Sequence, residues 1–122
     1  VVDHALFIEA LRREFPVLVP HLEDETTRGL LHVEMGCFAR FTQQAIDDGD
    51  REAVAQSFQL AHHLFHDGDE AVKNAVAVSY LEYLNFADGR QNRAWARELL
   101  SALLASELRA IETFWNGESR KP

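Results

Sequence analysis

Apolar positions recur at helical spacing along almost the whole chain, and no stretch alternates as a half-buried strand would. Asp3 stands where an N-cap belongs, and Leu6, Ile8, Ala10 and Leu11 supply the apolar side of a first helix reaching about Glu14. Pro16 and Pro20 bracket FPVLVPHLED, which predicts a turn and at most a short helix. The polar run EDETTRG predicts a loop ending at Gly29. From about Leu30 to Asp47, residues Leu31, Met35, Phe38, Phe41, Thr42, Ala45 and Ile46 share one broad face. Arg40, Gln43 and Gln44 fall outside that face and Glu34 falls inside it.

DDGD then punctuates the chain, with Gly49 predicted to close one helix in the left-handed conformation and Asp50 to cap the next. That helix runs from Arg51 to His66, with Val54, Phe58, Ala61, Leu64 and Phe65 on its core face. The device returns 19 residues later as HDGD, with Gly68 as a left-handed terminator and Asp69 as cap. Asp69 to Phe86 is predicted to be one helix, apolar nearly all round and so central, with neighbours on several sides. ADGRQN reads as a loop. Asn92 is placed to cap a helix from Arg93 to about Leu104, and Ser106 a last helix ending at Asn116 with Gly117 as its stop; a single bent helix across both is the alternative. ESRKP reads as a frayed tail.

These elements define an all-α fold: a compact bundle of five or six helices whose short connections favour antiparallel neighbours. At 122 residues the chain makes one domain, assigned to 1–117 with 118–122 as tail, and it is long enough to bury a core.

Two resemblances are carried by particular stretches. DGDEAVKNAVAVSYLEYL resembles the second helix of a HEAT-type hairpin, in which an Asp caps the helix and Ala75 and Leu81 pack between layers; Arg51–His66 and Asp69–Phe86 would form an antiparallel hairpin at the centre of the fold. LHVEMGCFARF, GDEAVKNAVAVSYLEYL and FWNG together are similar to a family of small bacterial helical domains of unknown function, over about Gly29 to Gly117. That resemblance implies a bacterial source and a compact helical fold; it brings no activity and no functional residues. By fold-level analogy alone, small acidic helical domains of this kind serve as immunity or antitoxin partners.

Charge changes the picture more than composition does. The net charge is -8, and residues 1–70 hold 14 acids against 5 bases while residues 71–122 hold 6 against 7. Such a balance disfavours nucleic acid and suits either a solvated acidic surface or a basic partner. One cysteine, Cys37, rules out an internal disulfide and every zinc pattern built on a cysteine pair, and it fits a cytoplasmic setting. No apolar run reaches the roughly 18 residues of a membrane span.

The candidate chemistry is sparse. His62, His63 and His66 precede Asp67, Asp69 and Glu70. His62 and His66, at i and i+4, can reach one zinc or other divalent ion, with Asp67 or Asp69 as a further ligand. Against this, there is no H-E-x-x-H, Asp69 is wanted as a cap, and His66 suits a helix C-terminus in its own right. HVE at His32–Glu34 lacks the P-C-x-x-C that deaminase chemistry needs, and DDGDREAV lacks the ligand alternation of a calcium loop. Glu34 is either a first-turn carboxylate aimed at free amides or a buried acid fit for proton transfer. Trp95 and Trp115 read as core or, if exposed, as binding anchors.

The sequence therefore points to a non-enzymatic protein–protein interaction module, in its sharpest form an inhibitor of a basic partner, with self-association into a homo-oligomer open. The contact surface is assigned to Asn74, Val78, Glu82 and Asn85 with Asp48 and Asp67 at the helix corners; another helix covering the stripe is the bland alternative. A metal-binding protein or metal-dependent enzyme using His62, His63 and His66 is the second expectation.

Overall fold

Asp3 caps α1 (His4–Glu14) as the sequence predicts, its carboxylate accepting the Leu6 amide at 2.9 Å. The helix buries Phe7, Ala10 and Leu11, whereas Leu6, assigned to the core side from its spacing, is exposed. The two prolines frame a 3-10 turn (Pro16–Leu18) and a short α2 (Val19–Glu23). An Asx turn at Asp24 and a left-handed Gly29 (φ +81°) then redirect the chain into α3 (Leu31–Asp47). The computed structural model describes residues 1–86 and 93–119, with side chains described to Phe114. The whole ADGRQN loop with the predicted Asn92 cap, the end of the tail and the Trp115 side chain lie outside the described residues.

Met35, Phe38, Thr42, Ala45 and Ile46 of α3 are buried, and Phe41 packs against Phe15 with ring centroids 5.0 Å apart. At DDGD the expectation holds: Gly49 has φ +71° and Asp50 accepts the Ala53 amide at the start of α4 (Arg51–Asp67). Asp69 likewise caps α5 (Glu70–Ala75) through the Val72 amide.

Gly68 is a correction. Its φ is -68° and its ψ 155°, an extended conformation open to any residue, so it is not a left-handed terminator. What it supplies is room. A Cβ there would overlap the Leu64 carbonyl oxygen and come 2.9 Å from Val72 Cγ1. The crowding is between the last turn of α4 and Val72 of α5. The N-terminal segment crosses the same corner: Val2 donates its N–H to the Asp67 carbonyl at 2.7 Å and accepts the Asp69 amide at 2.8 Å, as an isolated parallel bridge.

The long helix expected to Phe86 is also shorter and less regular. After α5 the chain widens into a π-helical segment (Val76–Leu81) and ends there, with the Glu82 amide reaching the Ala77 carbonyl at 3.2 Å. The wider turn accommodates two consecutive large side chains, Tyr80 and Leu81, at zero exposure. Tyr80 stacks on Phe38, centroids 4.6 Å apart, and its hydroxyl meets Thr42 Oγ at 2.9 Å, which satisfies both buried hydroxyls. Desolvation pushes the Tyr80 phenol far above its usual range, so it stays neutral.

The last region breaks where the sequence left two alternatives. α6 (Ala94–Glu98) and α7 (Ala102–Ser119) are separate helices. Ser101 rather than Ser106 caps α7, its Oγ accepting the Leu104 amide and its carbonyl the Ala105 amide. α7 passes through Gly117 to Ser119, so Gly117 does not stop it. Among the described residues there are seven α-helices against the expected five or six, the difference lying in α2, foreseen only as a turn and at most a short helix, and in the α6–α7 break, for which a single bent helix was the alternative. The all-α class stands, and among the described residues no helix is long and apolar enough to cross a membrane.

Candidate functional site

The histidine corner is built by the last turn of α4. His63 Nδ1 and His66 Nδ1 each lie 2.9 Å from a different carboxylate oxygen of Asp67, an exposed group. The hydrogen bond with His66, chiefly, holds the Asp67 carboxyl below its usual range. His62 turns elsewhere, its Nδ1 2.7 Å from Ser101 Oγ, with its ring stacked on that of His66 at 6.0 Å. Asp69 is committed to its cap. The three histidines are thus divided between an acid of their own helix and the start of α7. Among the described residues, no three His, Cys, Asp or Glu side chains are arranged to hold a metal ion.

Glu34 lies in the first turn of α3 and is buried, 3 % exposed. One carboxylate oxygen accepts the Gly29 amide at 3.1 Å and the other meets His4 Nε2 at 2.5 Å. A buried carboxylate with both oxygens engaged locks the loop before α3 to the N-terminal helix. His4 was missed because its partner is 30 residues away. Cys37 is buried beside Arg40, whose Nη2 donates to its sulfur at 3.2 Å.

The proposed contact stripe is open. Asn74, Val78, Glu82 and Asn85 are all exposed, Val78 by 48 %, and Tyr83 matches it at 48 %. Two α3 side chains edge the stripe. His32 Nδ1 meets Ser79 Oγ at 2.6 Å, and the Gln43 amide group grips the Asn85 backbone in both directions, at 2.7 and 3.2 Å. His32 and Gln43 share one side of α3, since eleven residues make close to three turns. Gln43 also donates to Asp47, so the acids at the end of α3 sit at the Asn85 end of the stripe; Asp48, exposed, accepts from Gln44 at 3.0 Å. Asp67 lies at the other corner, ahead of α5. Tyr83 and Ser79 escaped the sequence reading because the π-helical turn shifts the helical phase after Ala75.

The molecule is an all-helical domain with an exposed stripe that carries Val78 and Tyr83 and is edged by acids. Its family is clear: residues 8–116 match the model of a domain of unknown function, DUF7674, and the chain belongs to that family. No curated protein and no solved structure matches it.

Proposed function

We propose that this chain is a small, non-enzymatic protein-binding module whose contact surface runs along α5 and the π-helical segment. The observation that carries this reading is the 48 % exposure of both Val78 and Tyr83 on the most apolar stretch of the chain. An exposed aromatic and an exposed aliphatic beside acids make the usual composition of an anchored contact: the apolar pair drops into a partner's surface and the charges orient it. With Glu82, Asp48 and the surplus of acids over residues 1–70, the preferred partner is a basic protein. An inhibitor that occludes a basic bacterial toxin is the sharpest form, and it would act in the cytoplasm.

Photocrosslinking amino acids placed at Val78 and at Tyr83, with Val17 as control, test it in living cells. Val17 is 64 % exposed but lies beside Cys37 and Arg40, on a different side of α3 from His32 and Gln43. The expected result is one basic protein captured from positions 78 and 83 and not from 17. Equal capture at all three positions, or capture only of a second copy of the chain, would overturn the reading.

A further inference from the structure

A cleft of about 440 Å³ lies between α4 and the α6–α7 break, lined by Ala55, Phe58, Gln59, His62, Leu99 and Ser101. This is within the size range of small-molecule sites. Three properties set it apart. Its floor is apolar, with Phe58 buried and Leu99 38 % exposed to whatever enters. No carboxylate is among its described lining residues, although the chain as a whole carries -8. Its two ends are cationic or donor-rich. Arg51, one turn before Ala55, stacks its guanidinium 4.7 Å over Trp95, one turn before Leu99. At the other end stand His62, Ser101 and the N-terminus of the long α7.

The hydrogen bonding at Ser101 selects the ligand's polar group. Ser101 Oγ already accepts the Leu104 amide. When His62 Nδ1 carries a proton and donates it, both acceptor sites of the hydroxyl are filled and its own O–H is left to donate to an incoming acceptor. The first amides of α7, those of Ala102 and Leu103, have no acceptor within their helix and favour negative charge.

We infer that this cleft binds a small amphipathic carboxylate, its head group at Ser101, His62 and the start of α7 and its aliphatic tail over Phe58 and Leu99. This site is separate from the stripe of Val78 and Tyr83, and its success or failure leaves the protein-binding proposal untouched.

Sodium octanoate titrated into the isotopically labelled full chain is the direct test, read by amide chemical shifts, with 1-octanol and octylammonium alongside. Saturable shifts should cluster at Ala55, Gln59, Leu99, Ser101 and Ala102. Octanoate should bind roughly tenfold tighter than octanol, as a hydrogen bond to a charged group requires. Ser101→Ala and His62→Gln should each weaken octanoate by a similar factor and leave octanol unchanged. Because Ser101→Ala also removes a helix cap, Ala55→Leu serves as the second variant: it fills the cleft from the surface of α4 and should abolish binding without unfolding the chain. No saturable shift at millimolar octanoate, equal binding of octanol, or undiminished binding by Ala55→Leu would each overturn the inference.

Discussion

The chain turns between helices twice on nearly the same four letters, DDGD at 47–50 and HDGD at 66–69, and the two corners are built differently. Both use the last Asp as a cap on the amide three residues ahead. Their glycines do opposite jobs. Gly49 sits at φ +71° with nothing within 4 Å of where a Cβ would be, so it is needed for its backbone. Gly68 sits at φ -68° with no backbone demand and is needed for its missing side chain, because the Leu64 carbonyl at the end of α4 and Val72 of α5 close on it. A shared motif therefore fixes the cap and leaves the reason for the glycine to the way each corner turns: an open left-handed link at Gly49, and a position pressed between two helix ends at Gly68.

The largest break in this pairing should come from Gly68→Ala. Its Cβ meets backbone as well as Val72, and we expect a loss of about 3 kcal/mol or more in urea melts. Asparagine discriminates the two corners: Gly49→Asn should be nearly neutral, since Asn tolerates the left-handed region, while Gly68→Asn should be as damaging as alanine. Next comes the strap. Val2→Pro removes the N–H that bonds the Asp67 carbonyl and should cost about 1–3 kcal/mol, read as a lower melting temperature. Gly49→Ala follows at about 1–2 kcal/mol, the penalty for an L-residue held at positive φ. Asp50→Ala and Asp69→Ala should lose about 1 kcal/mol each and so be alike, because the caps are the part the corners share.

The smallest effect is a matter of pH. His66, and with it His63, keeps the Asp67 carboxyl below its usual value of 3.8. A depressed acid contributes its stability above the unfolded value and loses it as pH falls through the lower folded one. Asp67→Asn should therefore lower the melting temperature slightly at neutral pH and flatten the acid limb of its pH dependence below about pH 4. A variant indistinguishable from the parent across that limb would dissociate the histidines from the corner's stability.

Much of the fold was legible because it depends on short-range chemistry. Asp3, Asp50 and Asp69 each reach an amide three residues on, and the α3 face obeys a simple period. What was not legible depends on distant partners. Glu34 is satisfied by His4, the Asp67 carbonyl and the Asp69 amide are bonded by Val2, and His62 is taken by Ser101, 39 residues away. The π-helical turn also escaped, since a run of apolar residues carries the same period whether the helix is regular or widened by one residue. The contact stripe named from the sequence, Asn74, Val78, Glu82 and Asn85, is exposed, but it did not include Tyr83, which lies in the stretch expected to have neighbours on several sides and is instead half open to solvent.

On the proposal above, Val78 and Tyr83 at the π-helical edge form the binding surface. The most direct measurement is the dissociation constant of the captured basic partner for Val78→Asp and Val17→Asp, each checked for an unchanged melting temperature. Val78→Asp should weaken binding by at least about tenfold, the loss of one anchor residue, and Val17→Asp should leave it unaltered. Equal affinities for the two variants would rule out Val78 as part of the binding surface.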